Sequence, residues 1–329
     1  MRGIEGIMGD IPKFVEIHEE GPREGFQIEK TVFPIEQRVQ FINALSRTGL
    51  KQIQVGSLVN PKKVPTMADT PELFARIDKR PGVSYTALWL NKTGFFRARE
   101  IPGISLQGYL YFSASEGLAR SNNNRSADQM RSEQLDFVQM YEESGVPIEV
   151  ASIMCAFGCN LDGEIAIEKV TELLPCIREI TVGRGHAFPT LLLADTMGWA
   201  NPVQTRRMIG AVREAEPDIR IGLHIHDTRG LGISNMFAAL EMGVDLFDSS
   251  VGGLGGCPFA AHRSTRAAGN ICTEDAVFLC QEMGIETGID LESLIEAASM
   301  AESIIGGQPL SGKVMHSGSL TRFRAATGR

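Results

Sequence analysis

The chain has 329 residues, a length that suits two average domains or one large one, and an α/β barrel of about 250 residues fits within it. Hydrophobic residues make up 43% and charged residues 22%, which excludes a largely disordered protein. The formal net charge of −8 argues against nucleic-acid binding through a broad basic surface, although a local cluster can still bind a small anion.

Short β-rich runs alternate with amphipathic stretches along the whole chain. The predicted strands are Phe14–Glu19, Gln52–Ser57, Val83–Trp89, Leu106–Phe112, Ile148–Met154, Thr190–Asp195, Arg220–Asp227 and Leu246–Val251. Several are nearly continuous apolar runs, as is typical of parallel strands that are covered on both faces. The predicted helices are Glu36–Arg47, Ala127–Ser144, Glu164–Leu174, Val203–Glu214, Ser234–Met242 and Thr273–Met283.

This alternation predicts an α/β protein with a closed (β/α)8 TIM barrel and a C-terminal helical extension. An open doubly wound sheet is less favoured, because no GxGxxG fingerprint follows the first strand. The glycine-rich run Gly252–Gly256 lacks the Lys-Ser/Thr pair of a P-loop. We expect one catalytic domain over residues 1–305 and a flexible tail over residues 306–329.

The cellular location is indicated by what the sequence lacks. Six cysteines without a CxxC pair do not suggest a disulfide scaffold in a chain of this length, so we expect thiols in a reducing compartment. The N-terminus does not resemble a signal peptide, and no apolar run approaches the roughly 18–20 residues of a membrane span. The expected location is cytoplasmic, with no membrane or nucleic-acid partner.

Polar and titratable side chains collect at the carboxyl ends of the predicted strands, where the active sites of such barrels lie. They are Glu19, Arg23 and Glu24 after the first strand, Gln54 in the second, Asp195 in the sixth, His224 and His226 in the seventh, and Cys257 after the eighth. This distribution predicts a functional site at that end of the barrel.

The sharpest local signal is the pair His224 and His226. Residues i and i+2 of a strand point to the same side, so both imidazoles can share one metal ion. The alternative is a pair of hydrogen-bonded core histidines. Glu24 and Asn270 would complete a mixed nitrogen and oxygen ligand set, which suits Mg²⁺ or Mn²⁺ better than a structural zinc site built from thiolates.

Arg23 and Cys257 are further candidates, each with an alternative. Arg23 can neutralise the neighbouring carboxylate or polarise a carbonyl group, and it can equally be a salt-bridged loop residue. Cys257 lies in a glycine-rich loop, where a thiol can donate or accept a proton, and it can equally be a packing cysteine.

At this point a family resemblance can be named. Residues Glu19–Gln27 resemble the E-x-GPRDG-x-Q signature of 3-hydroxy-3-methylglutaryl-CoA lyases, which belong with isopropylmalate, homocitrate and citramalate synthases to a family of metal-dependent aldol/Claisen barrels. Further similar segments are Val59–Met67, Ser113–Glu116, Asp195–Gly198, His224–Thr228, Gly252–Ala260, Gly269–Asn270 and Thr273–Asp275. The loop Gly252–Ala260 is similar to that of the lyases and separates them from the synthases.

The resemblance runs from about Val15 to Ile304 and implies a retro-Claisen cleavage of a 3-hydroxyacyl-CoA to acetyl-CoA and a keto acid. It implies Mg²⁺ or Mn²⁺ as the cofactor, CoA as part of the substrate, and a homodimer. The implied metal ligands are Glu24, His224, His226 and Asn270. The implied catalytic set is Arg23, which stabilises the enolate oxygen, Cys257, which supplies a proton, Asp195 in the proton relay, Gln54 and Glu19.

Two residues depart from the family pattern. Glu24 stands where the family has aspartate, and Gln54 stands where it has glutamate. Insertions at Gly183–Pro189 and His262–Arg266 lie at the end or flank of the barrel that shapes a substrate pocket. The alternatives are therefore a lyase acting on another acyl-CoA such as citramalyl-CoA, a condensing synthase, and a barrel that has lost catalysis and binds a metabolite or partner.

Overall fold

The computed structural model describes residues 11–257, 269–307, 309–321 and 323–324. The described chain divides into two compact units. The first contains the described residues 11 and 12, Leu106–Asp248, Gly256 and Cys257. The second contains Lys13–Ser105, Ser249–Gly255 and the described residues from 269 onward. The end of the glycine-rich motif, residues 258–260, and the insertion at residues 262–266 lie outside the described residues.

Strands and helices alternate through both units. The strands are β1 (Glu16–Glu19), β2 (Gln52–Ser57), β3 (Ser84–Leu88), β4 (Gly108–Ser113), β5 (Ile148–Met154), β6 (Gly158–Cys159), β7 (Gly163–Glu164), β8 (Thr190–Asp195), β9 (Ile221–Ile225) and β10 (Leu246–Ser249). The helices are α1 (Gly21–Gln27), α2 (Ile35–Leu45), α3 (Thr70–Arg76), α4 (Lys92–Arg99), α5 (Glu116–Asn123), α6 (Ala127–Ser144), α7 (Ile167–Thr171), α8 (Leu174–Ile180), α9 (Pro202–Ala215), α10 (Gly232–Leu240), α11 (Thr273–Glu282), α12 (Leu291–Ile305) and α13 (Val314–Ser317). Short 3₁₀ turns lie at Pro65–Met67, Val182–Arg184 and Val251–Gly253.

In the second unit the strands run parallel in the order β3-β2-β1, and His18 lies opposite Gln52 in the β1–β2 pair. Helix α1 packs on β2, and α12 packs on α2. The buried side chains of this unit include Phe26, Phe41, Ile53 and Phe74. Phe26 belongs to α1, so this apolar packing holds α1, which carries two of the predicted site residues.

In the first unit five parallel strands follow the order β10-β9-β8-β5-β4, while β6 and β7 form a small antiparallel hairpin. The register sets His224 of β9 beside Ala194 of β8 on one side and beside Asp248 of β10 on the other. Strand β8 is the apolar run that the sequence shows, and its residues Leu191–Asp195 are all buried. Strand pairing therefore presents His224 to a carboxylate that is 24 residues away in the chain.

All eight predicted barrel strands are present, and β2, β5 and β8 have the predicted bounds. Parallel strands that alternate with helices confirm the predicted (β/α)8 class. Helices α11 and α12 follow the last strand, and α13 lies within residues 306–329, which were predicted to be a flexible tail. None of the helices in the described part of the chain has the length and hydropathy that a membrane crossing requires.

The single helix predicted over residues 164–174 is wrong. Glu164 lies in β7, Ala166 is extended, and two separate helices, α7 and α8, follow. Helix α8 begins with Pro175 in its first turn, where the missing N–H costs nothing, and the same proline would have interrupted a continuous helix.

Candidate active site

Helix α1 begins directly after β1 and carries Arg23 and Glu24. The segment reads like a turn because it contains two glycines and a proline, yet Pro22 occupies the first turn of the helix, where its fixed φ is favourable. Glu24 also lies in the first turn, where the helix dipole favours a negative charge. Arg23 and Glu24 are therefore held by a short helix rather than by a loop.

Arg23 is 13% exposed, and three side chains surround its guanidinium. Its Nε donates to Oε1 of Gln54, and Nη2 contacts Oε2 of Glu20 at 2.7 Å and Oε1 of Glu24 at 2.8 Å. Gln54 fixes the guanidinium without adding a negative charge. With glutamine rather than glutamate at position 54, less of the positive charge of Arg23 is neutralised, and more of it can act on a bound group.

Asn270 lies beside Glu24 in the second unit. Its Nδ2 donates to Oε2 of Glu24 at 2.7 Å and to Oγ of Ser250 at 3.0 Å, so both amide hydrogens are used and the amide orientation is set. Its Oδ1 is buried and accepts no hydrogen bond from the described residues. A buried amide oxygen without a donor is costly, and a cation bound there would remove that cost.

His224 lies in β9 and His226 directly follows that strand, and their rings meet in the first unit. Nε2 of His224 lies 3.1 Å from Nε2 of His226, and Nδ1 of His224 lies 3.0 Å from Oδ2 of Asp248. A carboxylate at Nδ1 fixes the tautomer that leaves Nε2 unprotonated. An N···N distance of 3.1 Å allows a hydrogen bond between the two rings, and it also lets both nitrogens serve as ligands of one cation.

Asp195 ends β8 and is fully buried. Its two oxygens accept the backbone N–H groups of Trp199 at 2.7 Å and Ala200 at 3.0 Å. Burial raises the pKa of Asp195 above its ordinary value, and the backbone donors and the charges of His226 and Arg229 oppose that rise. A carboxylate with a raised pKa is a better proton acceptor than an exposed one, as the predicted relay role requires.

Cys257 belongs to a sulfur-rich cluster in the first unit. Its neighbours there are Leu118, Cys155, Cys159 and Met197, and Met154 and Trp199 pack against the group. All three cysteines are buried, and Cys257, at 9% exposed, is the most exposed of them, since Cys155 and Cys159 are fully buried. The backbone of Cys155 is left-handed, with φ of 54°, a conformation that is uncommon outside glycine.

Glu19 is completely buried, and its carboxyl group accepts three hydrogen bonds from neighbouring residues. Oε1 accepts the N–H groups of Gly21 at 2.8 Å and Val251 at 3.1 Å, and Oε2 accepts the hydroxyl of Thr273 at 2.5 Å. These contacts join the start of α1 to the turn at Val251 and to the start of α11. They support a positioning role for Glu19 within the predicted catalytic set.

Glu274 holds the next N–H of the same turn, because both of its oxygens accept from Gly252, at 3.0 and 3.1 Å. Burial raises the pKa of Glu19 from 4.5 to about 7 and that of Glu274 to about 8. The folded protein therefore binds more protons than the unfolded chain between about pH 4.5 and 8, and its stability falls as the pH rises through that range.

We expect the melting temperature of Glu274→Gln to fall less between pH 5 and 8 than that of the parent chain, because an amide does not titrate. Thermal unfolding followed by circular dichroism at several pH values measures this difference. Glu296→Gln, on the exposed face of α12, is the matched control and is expected to follow the parent. A Glu274→Gln profile as steep as that of the parent would contradict the prediction.

Three residues near the predicted site were not found from the sequence. Asp248, Ser250 and Thr273 contact His224, Asn270 and Glu19 respectively. Only Asp248 had an available signal, since it lies in the strand that neighbours the histidine strand in a barrel. The other two are small hydroxyl residues whose partners lie far away in the chain.

Comparisons with known proteins identify the family of the chain. The family model described as HMGL-like matches residues 14–301. The hydroxymethylglutaryl-CoA lyase YngG of Bacillus subtilis is 38% identical over 298 residues, which are 90% of this chain and 94% of that protein. A 3-hydroxy-3-isohexenylglutaryl-CoA/hydroxymethylglutaryl-CoA lyase of Pseudomonas aeruginosa is 35% identical over 90% of this chain and 95% of its own length.

A solved structure is similar over nearly the same span. It is a lyase from Acinetobacter baumannii in complex with coenzyme A and 3-methylmalate, with a TM-score of 0.83, 34% identity, and coverage of 94% of this chain and 96% of that one. The likeness in sequence and in fold thus extends over the residues that carry the site. The chain belongs to the HMGL-like family and is a lyase with the (β/α)8 barrel fold.

Proposed function

We propose that this lyase cleaves 3-hydroxy-3-methylglutaryl-CoA, or a closely related 3-hydroxyacyl-CoA, to acetyl-CoA and a keto acid. The relatives named above carry this substrate in their names, and one solved relative holds coenzyme A. The observation that carries the proposal furthest is the pair of imidazole Nε2 atoms 3.1 Å apart, with the tautomer of His224 fixed by Asp248.

We propose that His224, His226, Glu24 and Asn270 share one divalent cation, Mg²⁺ or Mn²⁺. The carboxylate and the two imidazoles offer the donor atoms that such an ion requires, and Asn270 adds the buried amide oxygen. Oxygen and imidazole donors without a thiolate suit these ions. When bound, the ion supplies positive charge that polarises the oxygens of the substrate.

The protein's own side chains perform the remaining steps. Arg23 donates to the thioester oxygen, on which negative charge grows as the carbon–carbon bond breaks. Asp195 accepts the proton of the tertiary hydroxyl through the relay. Cys257 donates its thiol proton to the carbon of the acetyl-CoA enolate, which completes the product.

A product assay by mass spectrometry tests the proposal. The protein with Mg²⁺ or Mn²⁺ is offered 3-hydroxy-3-methylglutaryl-CoA, citramalyl-CoA and longer branched 3-hydroxyacyl-CoAs, with Cys257→Ser as the control. Acetoacetate and acetyl-CoA from the first substrate, lost in the control, are the expected result. Cleavage of only another 3-hydroxyacyl-CoA of the panel would support the proposed reaction and assign a different acyl group to the substrate. No product from any member, with metal bound, would overturn the proposal.

Asp248 provides a separate test of the metal site. We expect Asp248→Ala to weaken Mn²⁺ binding by about 10- to 100-fold, because His224 loses the carboxylate that fixes its tautomer. Titration of Mn²⁺, followed by the electron paramagnetic resonance signal of the free ion, measures the change. The control is Asp245→Ala, which removes an exposed carboxylate that pairs with Arg220. Equal affinities in the two variants would contradict this role.

We also propose that the active form is a homodimer in the cytoplasm. The dimer rests on the family resemblance, and the location rests on the six cysteines, whose spacing does not suggest a disulfide scaffold. Size-exclusion chromatography with light scattering gives the assembly directly, and a monomeric mass with full activity would exclude a required dimer.

A further inference from the structure

The C-terminal segment Leu310–Lys313 lies against the first turn of the glycine-rich loop. Both the N–H and the Oγ of Ser311 donate to the carbonyl oxygen of Gly252, at 3.0 and 3.2 Å. The segment is anchored on either side of Ser311, because Leu310 N–H donates to Glu302 at 2.7 Å and Lys313 N–H donates to Asp275 at 3.0 Å.

This contact leaves no room for another atom. A Cβ on Gly252 would lie 2.4 Å from Cδ1 of Leu310, and a Cβ on Gly253 would lie 2.2 Å from Oγ of Ser311. A Cβ on Gly312 would lie 2.0 Å from Oε1 of Glu274, the carboxyl group that holds the Gly252 N–H. The segment and the turn therefore pack so closely that a side chain at any of these three glycines would force a neighbouring side chain to move.

The residues that follow the turn contact two of the proposed metal ligands. The N–H of Asn270 donates to the carbonyl oxygen of Leu254 at 3.4 Å. A Cβ on Gly255 would lie 2.8 Å from Cβ of Glu24, and a Cβ on Gly253 would lie 3.4 Å from the carbonyl oxygen of Asn270. A displacement of the turn would therefore displace Glu24 and Asn270.

We infer that Ser311 and Gly312 are positioning residues, which hold the turn Val251–Gly253 so that Glu24 and Asn270 keep the arrangement that binds the cation. This inference rests on the metal site of the proposed function. The segment would contribute no ligand to the metal site. It would act through two contacts: Ser311 with the carbonyl oxygen of Gly252, and Gly312 with Glu274.

Mn²⁺ titration of the full chain, without substrate, tests the inference. We expect Ser311→Ala to raise the dissociation constant for Mn²⁺ about fivefold, as the loss of one hydrogen bond predicts. Gly312→Ala is expected to raise it by about tenfold or more, because the added methyl group moves the segment off Glu274. Circular dichroism at the same temperature establishes that each variant is folded.

Ser299→Ala is the matched control, since the exposed Ser299 hydroxyl donates to the carbonyl oxygen of Ile295 at 2.9 Å within α12. Its Mn²⁺ affinity is expected to equal that of the parent. If the segment only stabilises the fold, the two substitutions would lower the melting temperature and leave the Mn²⁺ affinity of the folded variants unchanged. That result would overturn the inference. If the parent itself binds no Mn²⁺, the proposed metal site is wrong and the inference falls with it.

Discussion

Cys257→Ser is expected to lower kcat by about 10²- to 10⁴-fold, the range for loss of a proton donor, while Mn²⁺ affinity stays at the parent value. A serine hydroxyl has a similar shape but is a far weaker acid than a thiol, so it gives up its proton to the enolate carbon much more slowly. Steady-state kinetics with 3-hydroxy-3-methylglutaryl-CoA, together with a Mn²⁺ titration of the same sample, measures both quantities.

A second cysteine provides the control for this substitution. Cys176 is half-buried in α8 and is not a member of the sulfur-rich cluster, so Cys176→Ser is expected to retain parent activity. Equal kcat values for the two variants would show that the Cys257 thiol is a packing group. In that case the proton donor would have to be sought among the other groups of the site.

Arg23→Met is expected to lower kcat by about 10²- to 10³-fold, as does the loss of one donor to a developing oxyanion. Arg23→Lys keeps the charge, but a single ammonium cannot reproduce the planar fork that contacts Gln54, Glu20 and Glu24. We expect the lysine variant to recover only part of the loss. Separate values of kcat and KM show whether the transition state or the bound substrate is affected.

The exposed Arg47, which lies 3.8 Å from Asp78 on the surface, offers the matched control for a lost arginine. Arg47→Met is expected to keep both kinetic constants. An Arg23→Lys enzyme with the kcat of the parent would mean that charge alone is needed at this position, and that the contact with Gln54 has no catalytic consequence.

The strands were predictable because burial on both faces leaves a strong pattern in the sequence. The apolar run of β8 and the bounds of β5 needed no tertiary information. Helix α1 gave a weaker signal, since its glycines favour a turn and the segment is a helix that packs against β2. The break before α8 depended on Pro175, whose effect on a helix depends on its position within it.

The site was predictable where spacing along one strand carries the chemistry, as with His224 and His226. It was not predictable where a partner comes from another element. Asp248 reaches His224 only through the β9–β10 register, and Ser311 reaches Gly252 across 59 residues of chain. No local pattern encodes such pairs, because each residue alone is an ordinary polar side chain. The roles assigned to the site residues remain predictions for the experiments above.

The left-handed backbone at Cys155 implies a trade between stability and placement. An L-residue in this conformation costs about 1–2 kcal/mol, which a glycine would avoid. A glycine, however, would remove a sulfur atom from the cluster around Cys257 and open a cavity beside it. The fold thus gives up part of a small stability margin in order to keep a fixed packing contact beside the Cys257 thiol. A substitution at Cys155 that is chosen only to raise the melting temperature would therefore loosen the packing around Cys257.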